Sequence, residues 1–345
     1  MKKGNKYGTH RVIEPQGVLT QAAQKIDNDF GNLYSNEILC DVISLNIDSA
    51  SFTQLREEAK DDKQKIAEKI LSIVNERGKM QNPVTGSGGM FIGKIAKIGE
   101  DLKNINLKVG DKIASLVSLS LTPLKINSIE KIHMDIDRVD IIGQAILFES
   151  GIYAKLPEDL SEALVLAALD VAGAPAQTAK LVKPGDSVLI LGAGGKSGMM
   201  CCYEAMRRVG PTGRVVAMCR KDAHRDILLE NKFAHVVIQG DATKPIEVLE
   251  KALLANNGKE YDISISCVNM PNTEMSCILP VKDDGIVYFF SMATSFTKAA
   301  LGAEGVGKDV TMIVGNGYTK GHAEITLELL RESEALRKIF NEKYV

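Results

Sequence analysis

The string KPGDSVLILGAGGKSG, from Lys183 to Gly198, restricts this chain more than any other. Lys-Pro-Gly-Asp reads as a turn and Ser187 to Leu191 as a buried strand, after which the glycines open a helix. Gly192 permits the tight turn, and Gly194 lets backbone approach a pyrophosphate. Gly195, Lys196 and Ser197 begin a helix whose free N–H groups and positive dipole end face the anion. A strand before and a helix after are the context that gives such a glycine motif its meaning. Strict G-x-G-x-x-G spacing requires glycine at Ser197, and Gly198 stands one place late; serine is small enough to keep the helix close to the strand and to offer its hydroxyl to phosphate. Gly195-Lys196-Ser197 also mimics the end of a triphosphate-binding loop. That motif needs glycine at position 190, where Ile190 stands, so a kinase or ATPase is excluded.

The rest of the C-terminal part, 156–345, alternates between helix and strand. Helices are expected at Ser161 to Leu181, Ser197 to Val209, Ala223 to Asn231, Pro245 to Ala255 and His322 to Lys338. Strands are expected at Ser187 to Leu191, Arg214 to Cys219, His235 to Ile238, Asp262 to Cys267, Gly285 to Phe290 and Asp309 to Val314. Such alternation implies an α/β fold with a doubly wound, parallel six-stranded (Rossmann) sheet, which binds ligands at its carboxyl edge. The second strand ends at Cys219, followed by Arg220, Lys221 and His224, with no carboxylate for the ribose hydroxyls of NAD. Two cations at that tip favour NADP. NAD held without the acid, with Arg220 and Lys221 as a solvated helix start, remains open. At the other strand ends, Asn269 and Ser291 are candidates for ribose or carboxamide, Asp241 for the adenine pocket, and Gly315-Asn316 follows the last strand.

The N-terminal part, 1–155, reads as strand-rich, with strands at Ile38 to Ile47, Phe91 to Ile98, Lys112 to Leu119 and Asp140 to Phe148. Turn signals such as Lys108-Val109-Gly110-Asp111 separate them. A helical insertion at about 53–80 is marked by Leu55, Ala59, Ile66, Ile70 and Ile73. Basic and acidic side chains number 42 and 44, a formal charge of −2, so nucleic acid and anionic lipid are not expected partners. Trp is absent and aromatics are 5%, which argues against a surface of exposed stacking rings. No apolar run approaches the length of a membrane span, and the first residues lack the apolar stretch of a secretory signal. Cys40, Cys201, Cys202, Cys219, Cys267 and Cys277 form no CxxC pair, so reduced, buried thiols and a cytoplasmic setting are expected.

A β-rich first part with a K-V-G-D turn, then K-P-G-D-S-V-L-I-L-G-A-G-G ahead of alternating strands, resembles the medium-chain dehydrogenase/reductase superfamily. That resemblance implies a GroES-like first domain. Many of its alcohol dehydrogenases hold a catalytic zinc through an early Cys, a Gly-His-Glu motif and a later Cys. The matching stretch here is Gly86-Ser87-Gly88-Gly89, the later Cys position is Val171, and the four-cysteine lobe is missing. No zinc is expected, and Cys40 is read as a core residue. Four stretches, Gly8 to Asp29, Glu37 to Leu55, Asn82 to Gly99 and Gly192 to Arg208, are similar to a zinc-free amino-acid dehydrogenase branch of bacterial lysine fermentation. This implies NAD(P)-dependent oxidative deamination of a small diamino acid: hydride leaves the amine-bearing carbon, water attacks the imine and ammonium departs.

Without a metal, side chains must act. Asn46-Ile47-Asp48-Ser49 replaces the early ligand loop, making Asp48 the first candidate for base or ammonium partner, with Ser49 beside it; a turn-capping role for Asp48 is the competing reading. Arg11 is expected to pair the substrate carboxylate, Glu14 the distal ammonium, and His10 to stand beside them. Asp170, interrupting an apolar helix, is expected to be buried and therefore functional, and Glu149 is a weaker candidate. A homodimer through the Asp309 to Val314 strand is expected. The rivals are a zinc-free quinone or enoyl reductase, which needs no carboxylate near the nicotinamide, and a dinucleotide-binding sensor without turnover.

Overall fold

The computed structural model describes residues 1–102, 105–315 and 317–345. The chain forms two compact units, Met1–Asp159 and Leu160–Val345.

The first unit is built on an antiparallel sheet of β3 (Glu37–Asn46), β4 (Met90–Ile98), β5 (Lys112–Ser115), β6 (Leu124–His133), β7 (Arg138–Phe148) and β8 (Tyr153–Lys155), ordered β6-β7-β3-β4-β5-β8. A short hairpin of β1 (Val12–Glu14) and β2 (Lys25–Ile26) precedes it. Between β3 and β4 lie α1 (Ser49–Ala59) and α2 (Lys63–Arg77). Asp62 caps α2 by accepting from Gln64 N and Lys65 N, and Gly78 ends it at φ +73, in the left-handed conformation that glycine adopts without steric cost. Leu55, Ile66, Ile70 and Val74 then close over Cys40, Leu45 and Phe91 in one core. Strand β6 escapes the sequence pattern for a physical reason: bulges between Ile126 and Ser128 and between Ile129 and Lys131 interrupt the alternation of its side chains.

The second unit is a parallel sheet ordered β11-β10-β9-β12-β13-β14. Its strands are β9 (Ser187–Leu191), β10 (Arg214–Cys219), β11 (Val236–Gln239), β12 (Tyr261–Ser266), β13 (Val281–Phe289) and β14 (Thr311–Val314). Val188, Leu189, Ile190 and Leu191 are wholly buried, as expected of a central parallel strand covered on both faces. The helices are α3 (Glu162–Leu169), α4 (Gly173–Leu181), α5 (Lys196–Val209), α6 (Asp222–Glu230), α7 (Pro245–Ala255), α8 (Glu274–Ile278), α9 (Phe296–Val306), α10 (His322–Glu332) and α11 (Glu334–Tyr344). Two expected helices are each split. The first breaks at Asp170, where Pro175 then occupies the opening turn of α4, a position that needs no N–H. The second breaks at Ser333, which ends α10 and caps α11 by accepting from Leu336 N.

Candidate active site

The glycine turn is built from three close approaches. Gly192 has φ +77, and a β-carbon there would lie 2.8 Å from the Cys267 carbonyl carbon. At Gly194 a β-carbon would meet the His224 ring at 2.1 Å, so the imidazole lies against the loop. At Gly198 it would stand 2.3 Å from Gly192 O and 2.6 Å from Ala193 Cα. Gly198, rather than Ser197, is therefore the residue that lets the helix pack on the turn; Ser197 is half-buried and takes no such part. Gly195 is the N-cap of α5 and has no side chain to cap it, so the first-turn N–H groups face outward unsatisfied by a cap. A dinucleotide diphosphate fits this cradle.

Lys196 Nζ lies 2.5 Å from Asp170 Oδ2, and its ammonium is 5.7 Å from the centre of the Tyr344 ring. Asp170 is the C-cap of α3 and its side chain is 63% exposed. The expectation of a buried Asp170 fails because the helix ends there, which places the carboxylate in solvent as a partner for Lys196. At the tip of β10, Cys219 is buried and its thiol is pushed up by burial, whereas Arg220 and Lys221 are exposed. His224 is held below the usual imidazole range by burial first, then by the Lys343 and Lys221 charges. Asp241 Oδ1 accepts from Thr243 N at 3.0 Å and from Thr243 Oγ1 at 2.8 Å. Those bonds, with Lys244 and Arg220 nearby, lower its pKa and keep it ionised. Asn269 is exposed beyond β12, and the half-turn after β13 places Ser291 Oγ as acceptor for Ala293 N at 3.2 Å. Asn316 lies outside the described residues.

In the first unit the candidates fall into separate groups. Asp48 is the N-cap of α1: Oδ1 accepts from Ser51 N at 3.0 Å, and Oδ2 accepts from Ser87 Oγ at 2.8 Å. The capping reading of Asp48 thus holds, and a hydroxyl partner is added to it. Ser49, the first residue of α1, is exposed. Arg11 is 1% exposed and grips Glu37 with both sides of its guanidinium, Nε to Oε1 at 2.6 Å and Nη2 to Oε2 at 2.7 Å. Its remaining donors reach Asp27 Oδ2 at 3.1 Å, Asp29 O at 3.1 Å and Asn32 O at 2.9 Å. With all its donors occupied, Arg11 has none for a substrate carboxylate, which corrects that expectation. His10 is likewise held on both ring nitrogens, by Asn5 N at 2.9 Å and Glu37 Oε1 at 2.8 Å. Glu149 accepts from Asn36 Nδ2 at 3.0 Å, beside Glu37 in the chain.

Glu37 opens β3 and Asn46 closes it, so the Arg11 clamp and Asp48 stand at opposite ends of a ten-residue strand. At about 3.3 Å per residue that is roughly 30 Å. Arg11, His10 and Glu149 therefore do not share a site with Asp48. Glu14 is exposed on β1, and the loop after it leads the other way: Gln21 O accepts from Lys79 Nζ and Gln81 Nε2, and Gln81 Nε2 also reaches Gly86 O. Lys79 is wholly buried, and burial lowers its pKa to about 8, with the Arg77 charge adding to it.

Residues 10–157 match the family described as "L-erythro-3,5-diaminohexanoate dehydrogenase N-terminal domain". The chain is 72% identical over 344 residues to the L-erythro-3,5-diaminohexanoate dehydrogenase of Acetoanaerobium sticklandii, covering 99% of this chain and 100% of that one. It is 67% identical over 346 residues to the protein of that name from Fusobacterium nucleatum subsp. nucleatum, with 100% of each chain covered. The chain belongs to the L-erythro-3,5-diaminohexanoate dehydrogenase family. Among solved structures, the Escherichia coli quinone oxidoreductase complexed with NADPH is similar at a TM-score of 0.50 and 15% identity, covering 90% of this chain and 81% of that one. That likeness speaks for the fold alone.

In this diaminohexanoate dehydrogenase family member, the residues around Asp48 do not fit a catalytic zinc. The Gly86–Gly89 turn presents a hydroxyl and backbone, Cys40 is buried with its thiol pushed up by burial, and no group of three His, Cys, Asp or Glu among the described residues could hold a metal. Sequence reasoning missed Glu37, Ser51, Thr85 and Ser87. Ser87 carried a signal, since it stands in the turn that replaces a ligand motif. Glu37 carried none, because a glutamate at the start of a strand usually reads as solvated.

Proposed function

We propose that the chain catalyses nicotinamide-dependent oxidative deamination of L-erythro-3,5-diaminohexanoate to 5-amino-3-oxohexanoate and ammonium. The full-length 72% identity to a relative of that name carries this reading, and the glycine cradle supports it chemically. The bound nicotinamide ring supplies the hydride acceptor. The Gly192 to Gly198 backbone, the first turn of α5 and Lys196 would hold its diphosphate. Asp48 takes a proton from the substrate ammonium: a carboxylate has about four acceptor positions, and Ser51 N and Ser87 Oγ occupy one on each oxygen. Once the amine is neutral, the C–H bond at C3 breaks, the imine forms, water adds and the C–N bond breaks. Glu14, on the strand whose following loop reaches Gln81, is assigned the distal ammonium, and Asp170 positions Lys196.

Exposed Arg220 and Lys221, without a carboxylate at the β10 tip, favour NADP over NAD, and Arg220 is assigned its 2′-phosphate. The test is a spectrophotometric assay of cofactor reduction with the diamino acid, run with each dinucleotide and with a chelator present. Turnover that survives the chelator is expected. Arg220→Ala is expected to lower kcat/KM for NADP by about 10- to 100-fold, the value of one charge-assisted bond, and to leave NAD within about twofold. Equal losses for both dinucleotides would remove Arg220 from this role, and reduction of a quinone panel in place of the diamino acid would sink the main reading.

A homodimer is part of the same proposal. Strand β14 is the edge of its sheet, and Phe296 at 71%, Leu301 at 63% and Val314 at 42% exposure lie on it and on the helix before it. Sedimentation velocity should give twice the 37.4 kDa chain mass; a species of one chain mass at micromolar concentration would refute it. All six thiols are free, which supports a reducing cytoplasmic setting. No described helix is long and apolar enough to cross a membrane.

A further inference from the structure

Capping a helix requires one carboxylate oxygen of Asp48, and Oδ1 does it. The other oxygen opens onto three hydroxyl groups. Ser87 Oγ is 2.8 Å from Asp48 Oδ2, Ser51 Oγ is 2.9 Å from Ser87 Oγ, and Thr85 Oγ1 is 2.5 Å from Ser51 Oγ. Thr85 Oγ1 also lies 3.1 Å from Ser87 Oγ. An ionised carboxylate only accepts, so the Ser87 proton points to Asp48. The Ser87 oxygen keeps its lone pairs free to accept from Ser51 or Thr85, both within hydrogen-bond distance.

The chain passes through the interior before it reaches the surface. Ser51 is wholly buried, Asp48 and Ser87 are half-buried, and Thr85 is exposed. Asn82, wholly buried, holds the segment in place: Oδ1 accepts from Val84 N at 2.8 Å, and Nδ2 donates to Gln54 Oε1 at 2.8 Å and Ser51 O at 3.3 Å. Gly89, at φ +100, removes the last obstacle to this approach, since a β-carbon there would lie 2.0 Å from Asn46 O. A carboxylate is thus joined to the protein surface through hydroxyl groups alone.

We propose that Ser87, Ser51 and Thr85 relay to solvent the proton that Asp48 takes from the substrate ammonium. This rests on the reading of Asp48 as the base. Oxidative deamination releases one proton per turnover beyond the ammonium formed, and Asp48 must lose its proton before the next cycle. In the relay, the substrate N–H bond breaks as the Asp48 O–H bond forms, and the hydroxyl groups reorient. The Asp48 proton then passes to Ser87 as the Ser87 proton passes to Ser51, that of Ser51 to Thr85, and that of Thr85 to water. No redox partner is consumed. Ser51, Thr85 and Ser87 act through Asp48 and are relay residues rather than groups that touch substrate.

The test uses the full chain with its dinucleotide and the diamino acid in weak buffer. Thr85→Val is expected to lower kcat about tenfold or more, to leave dinucleotide affinity and Tm unchanged, and to raise the solvent isotope effect on kcat. Imidazole should restore the rate by carrying the proton instead, and Thr85→Ser should keep it. Ser87→Ala should show the same loss with weaker rescue, because the break lies deeper. Variants with wild-type kcat at every buffer concentration overturn the relay. So does a loss that follows Tm and ignores imidazole, the mark of a loop pin. Wild-type protein inactive toward the diamino acid overturns the function and the relay together, whereas an active wild type with buffer-insensitive variants overturns the relay alone.

Discussion

Arg11→Met is expected to destabilise the N-terminal unit by about 3–5 kcal/mol, the usual result of removing one partner from a buried ion pair. The Glu37 carboxylate, 0% exposed, would be left with His10 as its remaining side-chain partner. Urea denaturation followed by circular dichroism measures the loss. KM for the diamino acid, taken on the folded fraction, should stay within about twofold of wild type, since this pair stands roughly 30 Å from Asp48 along β3. A variant with unchanged stability and a KM raised tenfold would return Arg11 to the substrate. The same pair governs acid stability. Burial acts to raise the Glu37 carboxyl, but bonds from Arg11, His10 and Tyr34 N outweigh it and bring its pKa from 4.5 to about 2. A carboxyl depressed in the folded state stabilises fully above its unfolded pKa. That contribution is therefore present above about pH 4.5 and is lost as pH falls toward 2, and Glu37→Gln should flatten the stability profile over that window.

The second large effect belongs to Gly198. Gly198→Val places its β-carbon within 2.3 Å of Gly192 O and 2.6 Å of Ala193 Cα, both backbone atoms that no rotamer change can move. Helix α5 must shift off the turn, and overpacking of this kind costs about 1–3 kcal/mol or more. Because the first turn of α5 forms the anion cradle, dinucleotide affinity should fall about 100-fold or beyond, equivalent to roughly 2.7 kcal/mol or more. Fluorescence titration with the reduced dinucleotide measures it. Ser197→Ala, one residue away, should change affinity less than threefold; the opposite ranking would restore the stricter glycine spacing.

Much of the second unit was legible because a parallel sheet writes itself into the sequence as buried runs between amphipathic helices. Ser187 to Leu191 and Pro245 to Ala255 are found where the pattern puts them. Interruptions were harder to see. The break at Asp170 depends on capping and on Pro175, and the bulges of β6 depend on pairing with β7, which local spacing does not encode. The same limit explains the site. Asp48 stood out as a carboxylate in a distinctive loop, but its partners Ser51, Thr85 and Ser87 come together only when the loop after α2 folds back on α1. Arg11 was chosen for its chemistry, and Glu37 was the tertiary fact that redirected it.

Strand β3 works as a spacer. Its Glu37 end carries the ionic clamp and its Asn46 end leads into Asp48, so thermal hardening and retuning of amine preference address different ends of one rod. Directed evolution of this scaffold can run both campaigns in parallel and combine their winners with little epistasis.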